Sequence, residues 1–194
     1  GIARAVFNMA RGGETQGGST ITQQYVKNAM LDDQSQTISR KFKEIFVSIK
    51  VGANKDKDEI LEGYLNSAYY GRGAYGIQAA ARAYFNKEAI RLDEGECAFL
   101  AAVLKGATYY DPAGATSIDP VNATPQANQK RLLLQMQDTL DKMVEYDLLD
   151  APTRAKHTKL PKWEGPRSNT ALSGQIGYLV DLAKAYIVNN SDET

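Results

Sequence analysis

Leu61-Glu62-Gly63-Tyr64-Leu65-Asn66-Ser67-Ala68-Tyr69-Tyr70-Gly71-Arg72-Gly73-Ala74-Tyr75-Gly76-Ile77-Gln78-Ala79-Ala80-Ala81 is the stretch on which the fold class turns. Gly71, Gly73 and Gly76 fit GxGxxG, and Glu96 follows at the spacing of a ribose-binding acid. A dinucleotide site needs a strand before the glycines and another after the helix. Residues 60–66 are helical in pattern instead, and Asp93-Glu94-Gly95-Glu96 opens a second helix where the strand should be. The glycines therefore read as a tight helix-to-helix turn, rimmed by Tyr69, Tyr70 and Tyr75, and nucleotide binding is rejected. Aromatics around polar groups suit sugar or peptide contact, and they suit core packing equally well.

Working outward, helix signals dominate. Helical spacing and caps predict helices over 1–11, 20–31, 38–53, 57–67, 76–85, 93–105, 124–147 and 173–188. Thr20-Ile21-Thr22-Gln23 is a capping box, and Asp56-Lys57-Asp58-Glu59 and Asp93-Glu94-Gly95-Glu96 repeat the device. Thr124-Pro125 sets a cap before a proline at the first helical position. The stretches 106–123 and 157–172 read as irregular, and no alternating strand is evident. The expectation is an all-α fold.

The 194 residues suffice for one domain with a real core. Net charge is zero, which argues against a nucleic-acid binder, yet the charge is uneven. Up to Lys57 nine Lys/Arg face five Asp/Glu, a balance of +4 that the remainder cancels. A basic N-terminal third suits an anionic ligand. Cys97 is the sole cysteine, so an intrachain disulfide is excluded, and its apolar run predicts a buried side chain. His157 is the sole histidine, set in a polar loop and expected to be solvated, so neither a His/Cys metal set nor a Ser-His-Asp arrangement is indicated.

Two further segments could carry chemistry. In Gly17-Gly18-Ser19-Thr20-Ile21-Thr22-Gln23-Gln24-Tyr25-Val26-Lys27-Asn28, two glycines open into a helix N-terminus. Free N–H groups there favour an anion, and Lys27 lies one turn after Gln23 and Gln24, so Gly18, Ser19, Thr20, Gln23, Gln24 and Lys27 could cradle a phosphate. A merely well-capped helix fits the same residues. In Ser39-Arg40-Lys41-Phe42-Lys43-Glu44-Ile45-Phe46, the apolar positions Phe42, Ile45, Phe46 and Ile49 predict an amphipathic helix with that stripe inward. Arg40 and Lys41 can reach the Glu44 carboxylate, which suits a base or a charge-orienting group better than a proton donor. An ordinary exposed ion pair is the alternative.

In this order the segments resemble the peptidoglycan glycosyltransferase family, the glycan-polymerising module of class A penicillin-binding proteins and of monofunctional transglycosylases. Gly17 to Gln24 resembles its most specific motif and Arg40-Lys41-Phe42-Lys43-Glu44 its RKxxE motif. Ile60-Leu61-Glu62 through Tyr84-Phe85 resembles the next, and Glu96 to Lys105 with Tyr110-Asp111-Pro112 the last. The resemblance covers residues 1–147 and implies a lysozyme-like helical fold. It implies that a lipid-diphosphate-linked glycan is transferred to the 4-hydroxyl of lipid II, at the outer face of the bacterial cell membrane, with release of polyprenyl diphosphate. Glu44 carries over as a catalytic carboxylate near the leaving diphosphate, and Gln24, Lys27, Arg40 and Lys41 as cleft residues. Lys43 adds positive charge, and Asn66 of the third motif is counted with the substrate-binding residues. No cofactor is required by this chemistry. A divalent cation, Mg or Mn, assists many members, although no dedicated oxygen cage is visible.

Two departures stand out. The family's general base belongs to an EDxxFxxHxG motif that would precede Gly1. The opening Ile2-Ala3-Arg4-Ala5-Val6-Phe7 reads as the inside of a helix, which predicts an excised piece inactive on its own. The linker Asp32-Asp33-Gln34-Ser35-Gln36 also lacks the arginine found in many relatives. The expected organisation is a glycosyltransferase domain over 1–150 and a helical extension over 151–194 leading toward a transpeptidase domain. The rival is a lysozyme-like glycan hydrolase or lytic enzyme, which needs a protonated acid that Glu44 among cations supplies poorly.

Overall fold

The structure is a computed structural model, and it describes residues 20–31 and 38–166. The helices expected over 1–11 and 173–188 lie outside those residues. The chain divides into two compact units, residues 1–164 and 165–194, and the described elements all belong to the first.

In order they are α1 (Ile21–Ala29), α2 (Ile38–Asn54), α3 (Lys57–Ser67), α4 (Ile77–Phe85), a 3-10 turn (Ala89–Arg91), α5 (Glu94–Val103), the short α6 (Ala107–Tyr110), α7 (Pro125–Glu145) and α8 (Ala151–Lys156). The fold is all-α, with one isolated bridge between Tyr69 and Tyr75 among the described residues. Caps explain most of the starts. Thr20 and Asp93 complete reciprocal capping boxes with Gln23 and Glu96. Thr124 caps α7 ahead of Pro125, and Asp150 caps α8. At α3 only half the expected box forms. Asp56 accepts from the Glu59 N–H at 2.8 Å, while the Glu59 carboxylate pairs with Lys55.

The main core joins α4, α5 and α7. Leu132, Met136 and Leu140 recur every fourth residue on α7 and are wholly buried, each burial contributing roughly 1.5–3 kcal/mol. They meet Phe99, Leu100 and Val103 of α5 and Tyr84 and Phe85 of α4. The Phe99 ring stands edge-on to Tyr84 and Phe85, with centroids 5.5 and 5.0 Å away. A smaller cluster of Val26, Leu31, Val51 and Ile60 binds α1, α2 and α3. α8 packs on α7, and Leu160 and Trp163 fold back against the main core.

The decisive stretch is a turn. Ala74 N–H donates to the Gly71 carbonyl, Tyr70 N–H to Ala74 and Gly76 N–H to Ala68, joining α3 to α4 in nine residues with no strand on either side. Tyr69 and Tyr75 are exposed with ring centroids 4.8 Å apart, whereas Tyr70, expected at the rim, is buried in the core. Cys97 is likewise corrected. It is exposed, because position 97 falls with 101 on the outward face of α5 while Ala98, Phe99 and Leu100 turn inward. His157 is half-buried rather than solvated. Its ring sits over Gly95, where a Cβ has no room, and 3.6 Å from Glu94.

Candidate functional site

The site begins at the N-terminus of α1. Thr20 Oγ1 accepts the Gln23 N–H at 3.2 Å, and Gln23 Oε1 accepts the Thr20 N–H at 3.0 Å. Gln23 is therefore turned inward, 1% exposed, and its Nε2 is buried without a hydrogen-bond partner among the described residues. Gln24, one position on, is half-buried, and the Tyr64 hydroxyl approaches its Oε1 at 3.4 Å. Burial raises the Tyr64 pKa, so the phenol stays a protonated donor. Lys27 is half-buried in the last turn of α1. The helices cross closely because Gly63 of α3 leaves room for the Tyr25 ring.

Glu44 lies on α2, which packs against α1. It is 1% exposed. A carboxylate so deep has to be compensated, and Glu44 does have an interaction partner. Ser48, one turn on, donates to the Glu44 carbonyl at 2.6 Å. The burial pattern of α2 departs from expectation. Glu44, Ile45, Ser48 and Val51 face inward, while Phe46 is 65% and Ile49 51% exposed. The inward face is the one that meets Val26 of α1 and Ile60 of α3, and the helix turns to it even though it carries a carboxylate and a hydroxyl.

Of the sequence-predicted residues, Thr20, Gln23, Gln24 and Lys27 come together on α1, and Glu44 on the neighbouring helix. Lys43 is exposed beside Glu44, and Asn66 is exposed at the end of α3. Arg40 and Lys41 belong to α2, but their side chains lie outside the described part of the structure, as do Gly18 and Ser19 altogether. Tyr64, whose hydroxyl approaches Gln24, joins these candidates, and the sequence motif contained it without marking it. Its only signal is helical spacing toward the turn. Among the described residues, no three His, Cys, Asp or Glu form a metal-holding group, and no helix is long and apolar enough to cross a membrane.

An all-α body with a buried carboxylate on the helix packed against α1 is consistent with a lysozyme-like α-helical domain. The family model described as transglycosylase matches residues 1–142. The chain is 44% identical over 158 residues to penicillin-binding protein 1A of Mycobacterium tuberculosis, covering 80% of this chain and 18% of that protein. It is 35% identical over 198 residues to penicillin-binding protein 1A of Vibrio cholerae, covering all of this chain and 22% of that protein. In structure it is similar to penicillin-binding protein 1A from Haemophilus influenzae, with TM-score 0.50 and 24% identity, covering 71% of this chain and 18% of that one. The chain belongs to the transglycosylase family, and it spans about a fifth of the length of these relatives.

Proposed function

We propose that this chain is the main part of a peptidoglycan glycosyltransferase domain that polymerises cell-wall glycan. The 4-hydroxyl of lipid II attacks the anomeric carbon of the lipid-diphosphate-linked glycan, the bond to the diphosphate breaks, and a β-1,4 link forms with inversion. The hydroxyl proton passes to a carboxylate base, a part the resemblance assigns to the motif before residue 1. The observation that carries this reading is Glu44, a carboxylate 1% exposed on the face of α2 that meets α1. Its role is to hold and orient the cations that receive the departing diphosphate, for which Lys27, Lys43, Arg40 and Lys41 are the candidates. Thr20 and Gln24 belong to the same helix start, whose free N–H groups favour an anion, and Gly18 and Ser19 are proposed with them as substrate-binding residues. Gln23 supports from behind through its capping bond, and Asn66 is proposed to meet the sugar at the end of α3. A divalent cation, Mg or Mn, assists many members of the family that the sequence resembles, and its assistance here is part of the proposal.

The working place is the outer face of the cell membrane. Phe46 and Ile49 face outward on α2 with Lys50 5.9 Å above the Phe46 ring, apolar faces edged by a cation as an interfacial helix has them. A transpeptidase domain is proposed to follow residues 151–194 in the parent protein.

The test is Glu44→Gln in a domain completed by its upstream segment, assayed for consumption of lipid II. The expected loss is about 10²–10³-fold in turnover. Unchanged turnover removes Glu44 from the mechanism, and digestion of finished polymer would point to a hydrolase.

A further inference from the structure

Gly71, Arg72 and Gly73 all hold left-handed backbone, with φ of 81°, 54° and 71°. Glycine adopts that region freely, whereas arginine stays there when surrounding contacts over-determine it. Arg72 is held on every side, its side chain only 7% exposed. Nε and Nη2 donate to the two Asp111 carboxylate oxygens at 2.8 and 2.7 Å. Nη1 donates to the carbonyls of Ala83 at 3.3 Å and Glu164 at 2.6 Å. The guanidinium lies 4.1 Å from the Tyr84 ring centroid and 5.6 Å from that of Trp163.

Asp111, Ala83 and Tyr84 belong to the domain body, but Trp163 and Glu164 are the last residues of the first compact unit. Residues 157–164 have no regular structure of their own. The Glu164 peptide is nonetheless fixed on both sides. Its N–H donates to the Tyr84 carbonyl at 2.7 Å and its C=O accepts from Arg72. The same arginine thus closes the turn between α3 and α4 and ties down the segment by which the chain leaves the unit.

We propose that Arg72 is a two-way latch, coupling the conformation of the 69–76 turn, with its Tyr69–Tyr75 pair, to the docking of the exit segment 160–164. Loosening either end loosens the other. A pull or push on the chain beyond Glu164 then reaches the aromatic turn at the end of α3, the helix whose Tyr64 touches Gln24. The latch stands apart from the glycosyltransferase reading and survives its failure.

Hydrogen exchange on the whole 194-residue chain tests it in both directions. Trp163→Ala leaves the Arg72–Asp111 pair in place, and should speed exchange of the Tyr70, Ala74 and Gly76 amides about tenfold while the α7 amides from Leu132 to Leu140 keep their rates. Arg72→Lys retains a charge for Asp111 but loses the planar fork, and should speed the Glu164 amide by a similar factor, again with α7 unchanged. Should Trp163→Ala fail to fold, Glu164→Pro removes the N–H given to Tyr84 without touching a core side chain and carries the same expectation for the turn. Acceleration confined to the altered end, or shared equally by α7, overturns the latch.

Discussion

Gly76 shows how little latitude single positions have in the turn. Its φ is 83°, and a Cβ there would stand 2.6 Å from the Asn66 carbonyl oxygen. Alanine would bring both backbone strain and a clash with main chain that has no flexible end to move. Gly76→Ala is expected to cost about 2 kcal/mol or more, lowering the thermal midpoint by ~4–8 °C for a domain of this size in a circular-dichroism melt. An unchanged midpoint would mean the turn can rearrange. Tyr84 is constrained differently. Burial first, then the Asp111 charge, push its hydroxyl far above the ordinary range against the opposing Arg72. It stays protonated and donates to the Tyr70 carbonyl at 2.8 Å, stitching the turn to α4.

Helix by helix, periodicity located the elements well and their facing less well. The spacing of Phe42, Ile45, Phe46 and Ile49 identifies α2, yet α2 buries Glu44, Ile45, Ser48 and Val51. Ile45→Ala should therefore cost ~2–5 kcal/mol, while Phe46→Ser should stay within about 0.5 kcal/mol, both read from urea midpoints at equal slope. The reverse order would restore the sequence-based stripe. The Phe46 variant should instead weaken binding to anionic vesicles. At α8 the expectation concerns pH. Asp150 accepts the Thr153 N–H at 2.7 Å, and that bond first, with the Thr153 hydroxyl next, depresses its pKa. A depressed carboxyl contributes its full stabilisation above the unfolded value of ~3.9 and loses it as pH falls through the folded value. The Thr153 amide should hold its protection at neutral pH and lose it below that window, and Asp150→Asn should flatten the dependence.

For the described unit as a whole, two apolar clusters of unequal size imply unequal stability. The α4–α5–α7 core contains Tyr84, Phe99, Leu132, Met136 and Leu140, all fully buried, whereas the α1–α2–α3 cluster rests on Val26, Leu31, Val51 and Ile60. Amides of α1 and α2 should exchange by local opening at least about tenfold faster than those of α5 and α7, which should open only with the unit. Equal rates would show a single cooperative body. Gln24, Lys27 and Glu44 all lie on the helices of the smaller cluster.

Among the described residues the sequence alone located the longer helices, because caps and 3.6-residue spacing act within a few residues of each other. Thr20, Asp93 and Thr124 start their helices where the local pattern put them, and the motif order was enough to identify the family. The short elements at Ala89–Arg91, Ala107–Tyr110 and Ala151–Lys156 were not legible, since each is too brief to show a period. Tertiary structure alone decided that Glu44 points inward, that Cys97 faces out, and that Arg72 meets Asp111 and Glu164 across 39 and 92 residues. Those are outcomes of which helix faces which, and a contact between distant residues leaves no trace in the spacing of either.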